Sequence, residues 1–326
     1  MLFSCALAFA FPFQLFLFSF AVLGPLHYYT EIPWLHGKKY FTTGKYDFVV
    51  LIFFAVAISA IHFLVRLNYG DKTTFNTVID AFSFAALSGA LAFVTLKTTV
   101  QKGIALLVIA IASLWLTQLS AFGMIISSLV PTIVHVYIFT GAFILYGALR
   151  HRSPTGIASL GVFVLCTAAI FLIQPSPTSD RSVSIYVQKS YALFAGLNFD
   201  LMNLLGMQLT TRETPGLGRI LFLSDPGITI MRLIAFSYTY HFLNWFSKTS
   251  IIKWHLIPKK GLAIVLLLWI ASLVLYAIDY EIGLRYLFVV SLLHVVLEYP
   301  LNHKTFIAIG SELKSIVTGK RTTQAA

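Results

Sequence analysis

Residues 104–149 of the chain read IALLVIAIASLWLTQLSAFGMIISSLVPTIVHVYIFTGAFILYGAL, without a single Asp, Glu, Lys or Arg. A helix rises about 1.5 Å per residue, so about 20 apolar residues cross the roughly 30 Å hydrocarbon core of a bilayer. The stretch is long enough for two crossings, and the small and polar residues from Ser120 to Pro131 indicate where the chain turns. It predicts a pair of membrane-spanning helices.

The composition of the whole chain agrees with that prediction. Of its 326 residues, 58% are hydrophobic and 11% are charged, and the mean hydropathy is +0.84. A soluble domain carries about 25% charged residues, so lipid is the main solvent of this chain. Helices satisfy their own backbone hydrogen bonds in lipid, which predicts an all-α, polytopic bundle forming one transmembrane domain over residues 1–326.

Windows of about 20 apolar residues predict nine membrane-spanning helices. They lie near residues 6–28, 47–68, 75–96, 104–122, 127–149, 155–174, 226–247, 261–278 and 284–301. The longest gap between them, residues 175–225, contains an apolar stretch at 191–209 that also carries Asn198, Asp200 and Asn203. We predict that this loop is extracytoplasmic and that the stretch forms an interfacial or re-entrant helix rather than a tenth span.

Lysine and arginine are unevenly divided between the two sides of these nine helices. The side that includes the C-terminus has fifteen, namely Lys38, Lys39, Lys45, Lys97, Lys102, Arg150, Arg152, Lys248, Lys253, Lys259, Lys260, Lys304, Lys314, Lys320 and Arg321. The other side has seven, namely Arg66, Lys72, Arg181, Lys189, Arg212, Arg219 and Arg285. Basic residues concentrate on the cytoplasmic side, which predicts an extracytoplasmic N-terminus and a cytoplasmic C-terminus in a multi-pass inner-membrane protein. The net charge of +11 then reflects a basic face beside anionic lipids, and nucleic acid is excluded as a partner.

The histidines share one membrane boundary in this topology. Seven of the nine lie at or near the cytoplasmic side, and His135 lies deeper in the fifth span. The seven are His27, His36, His151, His241, His255, His294 and His303. Because they come from helices far apart in sequence, we expect some of them to converge.

Two His-xxx-Glu pairs occur among these histidines. His27 and Glu31 end the first span, where Pro33 is predicted to stop the helix. His294 and Glu298 repeat the spacing at the same predicted depth in the ninth span. Residues four apart share one face of a helix, with Cβ atoms about 6 Å apart, so each pair presents an imidazole and a carboxylate together.

Imidazole and carboxylate ligands suit iron, zinc or manganese, and several histidines with one or two glutamates suit non-haem iron best. We therefore predict a site for iron or another transition metal on the cytoplasmic side. Its predicted ligands are His27, Glu31, His241, His294 and Glu298. His135 is predicted to be a deeper ligand or proton acceptor, and Tyr240 and Asn244 to donate hydrogen bonds that fix the imidazoles.

The predicted layout is similar to that of the histidine-rich membrane iron enzymes, the desaturases, hydroxylases and carotene-cleaving oxygenases. In that group the metal ligands gather near one membrane face and the substrates are lipids. The HxxxH and HxxHH boxes of the desaturases and hydroxylases are absent from this sequence, so no ligand is carried over from them. The resemblance implies an enzyme that oxidises or modifies a hydrophobic substrate. Its electrons would come from a donor protein, because the chain lacks nucleotide-binding motifs.

Other interpretations of the same residues stay open. A proton-coupled transporter would use them to bind and release protons, with Asp80 and Arg232 forming an ion pair toward the outer side. Alternatively, the glutamates pair with lysine or arginine at the membrane boundary while the histidines anchor helix ends. Facing histidines also bind haem, although the nearby carboxylates fit that role less well.

We expect a reporter fused after Ala326 to be cytoplasmic and one inserted near Thr178 to be extracytoplasmic, because of the uneven division of basic residues. Paired fusions to alkaline phosphatase, which is active outside, and to green fluorescent protein, which is fluorescent inside, measure both positions. An extracytoplasmic C-terminus would contradict the nine-span topology and the common boundary of the histidines.

Overall fold

The protein is all-α, as the composition predicts. A computed structural model describes residues 1–175, 183–207, 216–249 and 258–318. It is 87% helical, and the described residues contain no strand. The chain divides into two compact units. The first unit comprises Met1–Glu31 and Val164–Ser291, and the second comprises Ile32–Phe163 and Leu292–Ala326.

Seven helices in the described part of the chain are long and apolar enough to cross a membrane. They are Asp47–Arg66, Lys72–Thr95, Thr99–Leu116, Met124–Arg150, Pro154–Leu172, Lys259–Ile278 and Tyr280–Thr318. Each overlaps one of the nine predicted spans. The chain is therefore a membrane protein, whereas the total of nine spans and their orientation stay predictions.

The predicted first span, residues 6–28, is not one uninterrupted helix. Helix α1 (Leu2–Ala10) ends at Phe11, whose φ of −140° and ψ of 57° are non-helical. Proline disfavours the helical conformation in the residue before it, and Pro12 begins helix α2 (Pro12–Phe18). A π-helical turn (Ser19–Leu23) and helix α3 (Gly24–Gly37) follow directly. The prediction of a single helix was therefore wrong at Phe11.

Helix α3 also continues past the proline that was predicted to end it. Pro33 lies inside the helix, which runs on to Gly37. A proline removes one backbone hydrogen bond, and helices in membranes tolerate this where neighbouring groups satisfy the freed carbonyl. Leu35, two residues beyond, has no exposed surface, so packing favours the continued helix.

Helix α12 (Asp225–Ser247) is the central helix of the first unit and corresponds to the predicted span at 226–247. It packs against α1, α2, the Ser19–Leu23 turn and two short helices, α10 (Ala195–Leu204) and α11 (Leu217–Leu223). Its polar residues face protein rather than lipid: Thr239, for example, is buried and bonds Ser19 through their hydroxyl oxygens, 2.7 Å apart. A helix surrounded by protein does not need an apolar surface on every side.

The segment before α12 contains only short helices among its described residues. These are α9 (Ile185–Ala192), α10 and α11, of at most ten residues, or about 15 Å. The side chain of Tyr191 is fully buried, packs edge-on against Phe13 and Phe16, and donates its hydroxyl to Asn198. The interfacial helix predicted at 191–209 is therefore shorter than expected, because α10 ends at Leu204. Residues 208 and 209 of the prediction lie outside the described residues.

The second unit is built around helices α4 (Asp47–Arg66), α5 (Lys72–Thr95) and α6 (Thr99–Leu116). Asp71 caps α5 by accepting the Thr74 amide at 2.8 Å, and the hydrogen bonds from Thr74 lower the pKa of Asp71. Lys102 Nζ lies 2.7 Å from Asp47 Oδ2 and so ties the start of α6 to the start of α4.

The later helices of the chain complete both units. A π-helical segment (Met124–Phe139) leads into α7 (Thr140–Arg150), followed by α8 (Pro154–Leu172). Helices α13 (Lys259–Ile278) and α14 (Tyr280–Thr318) end the described chain. Helix α14 has 39 residues and is about 58 Å long, nearly twice the hydrocarbon thickness. The helix continues through Pro300 to Thr318, beyond the predicted span at 284–301, and the end of the span itself stays a prediction.

We expect Gly227→Ala to destabilise the protein because α12 begins in close contact with α11. A Cβ atom at residue 227 would lie 2.5 Å from the Leu221 carbonyl oxygen and would also meet that of Ile220. Such overpacking costs about 1–3 kcal/mol. Gly310→Ala in α14 is the control, since a Cβ there meets nothing within 4 Å and should stabilise the helix by about 0.5–1 kcal/mol. Thermal unfolding in detergent measures both, and equal melting temperatures would contradict the expectation.

Candidate functional site

The first unit contains a buried cluster of two imidazoles and one carboxylate, which we name the His27 cluster (His27, Glu31 and His241). Nε2 of His27 lies 2.9 Å from Glu31 Oε2 and 3.2 Å from Nε2 of His241. His27 and Glu31 are each 1% exposed, and His241 is 7% exposed. The contacts therefore form away from bulk water, where electrostatic interactions are strong.

One nitrogen atom of His27 takes part in both of these contacts. A single proton on Nε2 of His27 can be donated to the Glu31 carboxylate or to the His241 imidazole. Both groups can accept it at once only if the hydrogen bond is shared between them. A cation could instead bind Nε2 of His27 together with Glu31 Oε2, because it attracts both lone pairs at once. The geometry therefore suits two kinds of chemistry, proton sharing and metal binding.

Neighbouring residues fix the position of the His27 ring. Trp245 donates from Nε1 to the hydroxyl of Thr30 at 3.1 Å, and its ring meets the His27 ring edge-on at 5.3 Å. The Thr30 hydroxyl lies 2.8 Å from the backbone carbonyls of Leu26 and His27, to which it donates. Phe242 packs against the imidazole at 5.2 Å. Trp245, held by Thr30, and Phe242 thus restrict the His27 ring.

Thr30 and Trp245 are two further residues of this site that were not predicted from the sequence. Thr30 lies three residues after His27, and Trp245 lies four residues after His241, so both follow the spacing that places side chains on one helix face. Helical spacing was the available signal, but it does not reveal that these two residues bond each other.

Tyr240 and Asn244 were predicted to orient the imidazoles. Tyr240 is half-buried, and its ring stacks on that of Phe236 at 6.0 Å. The backbone carbonyl of Asn244 accepts the hydroxyl of Ser247 at 2.8 Å. Both residues lie within one turn of His241 in α12, and their role as donors stays a prediction.

The second unit contains another buried group of the same composition, which we name the His135 cluster (His135, His294 and Glu298). His135 Nδ1 lies 3.5 Å from Glu298 Oε2, and the rings of His135 and His294 meet edge-on at 5.3 Å. The three side chains are between 1% and 4% exposed. Like the His27 cluster, this group joins two imidazoles to one carboxylate.

Different backbone conformations present the members of the His135 cluster. His294 and Glu298 follow one face of α14, whereas His135 lies in the π-helical segment, four residues after Pro131. In a π-helix each amide bonds the carbonyl five residues back, which turns side chains to positions that an α-helix does not give them, and such segments are frequent at functional sites. His135 contacts Glu298 at 3.5 Å, and its role as a deeper ligand or proton acceptor stays a prediction.

Of the five predicted ligands, His27, Glu31 and His241 belong to the first unit, and His294 and Glu298 belong to the second. His27, Glu31 and His241 come together in the first unit, while His294 and Glu298 join His135 in the second. A single metal held by all five stays a prediction.

Two of the other histidines predicted near the cytoplasmic boundary, His36 and His303, are not members of either cluster. His36 Nδ1 lies 3.2 Å from the Tyr40 hydroxyl, and His303 Nε2 lies 2.8 Å from the Leu87 carbonyl oxygen. His255 lies outside the described residues.

Arg232 belongs to the first unit and Asp80 to the second. Arg232 donates to the Ile173 carbonyl at 3.0 Å and lies 4.5 Å above the ring of Phe9. The ion pair between Arg232 and Asp80 stays a prediction.

No protein family, curated protein or solved structure matches this chain. The chemistry of the two clusters therefore carries the functional argument.

We expect Glu31→Gln to destabilise the protein far more than Glu281→Gln. Both glutamates contact a base four residues away, Glu31 with His27 at 2.9 Å and Glu281 with Arg285 at 2.7 Å. The first pair is buried and the second is 39–49% exposed. Losing a charged acceptor inside the protein costs about 1–3 kcal/mol, whereas an exposed ion pair contributes about 0–1 kcal/mol. Thermal unfolding in detergent compares the variants, and equal losses would contradict the special importance of the buried contact.

Proposed function

We propose that this protein is an integral inner-membrane enzyme that uses a transition metal, non-haem iron by preference, to oxidise or otherwise modify a hydrophobic, lipid-like substrate. The observation that carries the proposal is the His27 cluster, in which two imidazole nitrogens and a carboxylate oxygen converge inside the protein. Two histidines and one carboxylate form the ligand set with which many oxygenases hold iron(II) while leaving positions open for reactants. Both clusters have this composition.

The distances within the His27 cluster support metal binding. Ligands about 2.1 Å from a metal lie about 3.0 Å apart when adjacent in an octahedron and about 3.4 Å apart in a tetrahedron. The two measured distances from His27 Nε2 are 2.9 Å and 3.2 Å. The contacts of His27 with Glu31 and with His241 each have the spacing of two adjacent metal ligands.

Burial gives a second argument. Isolated charges in an apolar interior cost several kcal/mol each, and a cation that binds a carboxylate and two imidazoles offsets this cost. The contacts from Trp245 to Thr30 and from Phe242 to His27 hold the ligands before any metal arrives. Such surrounding contacts fix ligand orientation in metal sites generally.

The roles of the chain's own residues follow from these contacts. His27, Glu31 and His241 would hold the metal, which when bound supplies the redox or Lewis-acid chemistry. The low exposure of all three excludes bulk water and favours a substrate that arrives from lipid. An oxidation would also need an electron-donor protein, because no nucleotide-binding motif occurs in the sequence.

One observation favours a second candidate function, a proton-coupled transporter. His241, His27 and Glu31 form a continuous series of contacts between α12 and α3, so a proton could pass from one titratable group to the next. In this case the same residues would need no metal and would change protonation during transport.

We expect purified protein to contain one or two equivalents of iron or another transition metal, and His241→Ala to lose the metal of the His27 cluster. His151→Ala is the matched control, because His151 is exposed at the end of α7 and belongs to neither cluster. Elemental analysis of the protein in detergent measures the metal content.

The other outcomes of this experiment separate the candidate functions. Metal-free wild-type protein that acidifies proteoliposomes would contradict the enzyme and support the transporter. A strong Soret absorption band would show that the bound cofactor is haem and not non-haem iron. Full metal content in His241→Ala would exclude the His27 cluster as the metal site.

A further inference from the structure

Asn302 is a buried amide one helical turn beyond the His135 cluster. Its side chain is 2% exposed, and within the described part of the chain neither its Nδ2 nor its Oδ1 has a hydrogen-bond partner. Buried amides in proteins are normally bonded, because removing one from water without replacement bonds is costly. An amide left in this condition needs an explanation, and a bound ligand is one.

The neighbouring polar groups of α14 are engaged elsewhere. His303 bonds the Leu87 carbonyl oxygen at 2.8 Å, and Thr305 donates its hydroxyl to the Leu301 carbonyl at 2.9 Å. Neither bond involves the side-chain amide of Asn302.

The position of Asn302 relates it to the His135 cluster. His294, Glu298 and Asn302 are spaced four residues apart and follow one face of α14. Each step of four residues advances about 6 Å along the helix. Asn302 therefore lies about 6 Å along this face from Glu298 and about 12 Å from His294.

Asn302 also lies next to the predicted membrane boundary, since the ninth apolar window ends at residue 301. The polar group of an amphiphilic molecule lies at that level, while its hydrocarbon chain lies in the membrane core. An amide both donates and accepts hydrogen bonds, and a hydroxyl group does the same. The chemistry of Asn302 thus matches a long-chain alcohol.

We infer that Asn302 binds the hydroxyl group of a long-chain, lipid-like substrate and aligns its hydrocarbon chain with the His135 cluster. This inference rests on the proposed function, because it names the substrate class of that enzyme. The bound hydroxyl donates to Asn302 Oδ1 and accepts from Nδ2, so both unpaired atoms gain a partner.

The test uses full-length protein in dodecyl maltoside micelles with three probes of equal chain length. Oleyl alcohol donates and accepts, oleyl methyl ether only accepts, and 1-octadecene does neither. We expect wild-type protein to bind the alcohol about fivefold more tightly than the ether, which lacks one hydrogen bond, and about thirtyfold more tightly than the alkene, which lacks two, as hydrogen bonds of average strength give. Asn302→Leu should bind all three equally.

Thermal unfolding provides a readout that a purely structural amide would not produce. Because Leu has nearly the same size and no unpaired polar atoms, Asn302→Leu without probe should unfold a few degrees above wild type, roughly 2–4 °C. Asn198→Leu is the matched control at another buried asparagine. That variant should unfold below wild type, because Tyr191 would lose its acceptor, and it should keep the preference for the alcohol.

Several results would overturn the inference. One is equal affinity of the wild-type protein for all three probes, which is expected if water alone occupies the position. The others are an unchanged preference for the alcohol in Asn302→Leu and a melting temperature of that variant below that of wild type. Metal content measured on the same samples keeps the two proposals separate. Metal-loaded protein without an alcohol preference contradicts this inference alone, whereas metal-free protein with an Asn302-dependent preference contradicts only the metal enzyme.

Discussion

Inside a membrane protein, a hydrogen-bonding or charged side chain must find its partner within the protein, because the surrounding hydrocarbon offers none. The first unit meets this requirement around α12. Arg232 bonds a backbone carbonyl and lies over an aromatic ring, and Thr239 bonds Ser19. The His27 cluster follows the same rule, since each of its imidazole and carboxylate groups contacts another member. The requirement places the polar residues of α12 toward protein and so determines which helices pack around it.

Interrupted helices are the second recurrent feature of the structure. The chain breaks at Phe11 before Pro12 and continues through Pro33 and Pro300, and it adopts π-helical turns at Ser19–Leu23 and Met124–Phe139. Each irregularity changes the direction in which the following side chains point. Two of them bear on the clusters: the first π-helical turn directly precedes the helix that carries His27, and the second contains His135.

The two clusters contain the same chemical groups, two imidazoles and one carboxylate, and all six side chains are nearly buried. A protein that needed only to neutralise a glutamate at the membrane surface would use a lysine or arginine, as Glu281 uses Arg285. Imidazoles cost less to bury than permanent charges, and they bind both protons and transition metals. This choice of residues is compatible with both the proposed metal enzyme and the proposed transporter, and the metal content of the protein distinguishes the two proposals.

The sequence by itself determined the all-α class, the membrane environment and the locations of the seven long helices, because lipid requires uninterrupted apolar stretches whose length is fixed by bilayer thickness. It also placed His27 beside Glu31 and His294 on the same face as Glu298, since helical spacing is local. Tertiary structure decided which groups from distant helices meet: His241 with His27, Trp245 with Thr30, and His135 with Glu298. These contacts join residues from 163 to 215 positions apart in the chain, and they depend on helix packing and on π-helical turns that no local spacing encodes.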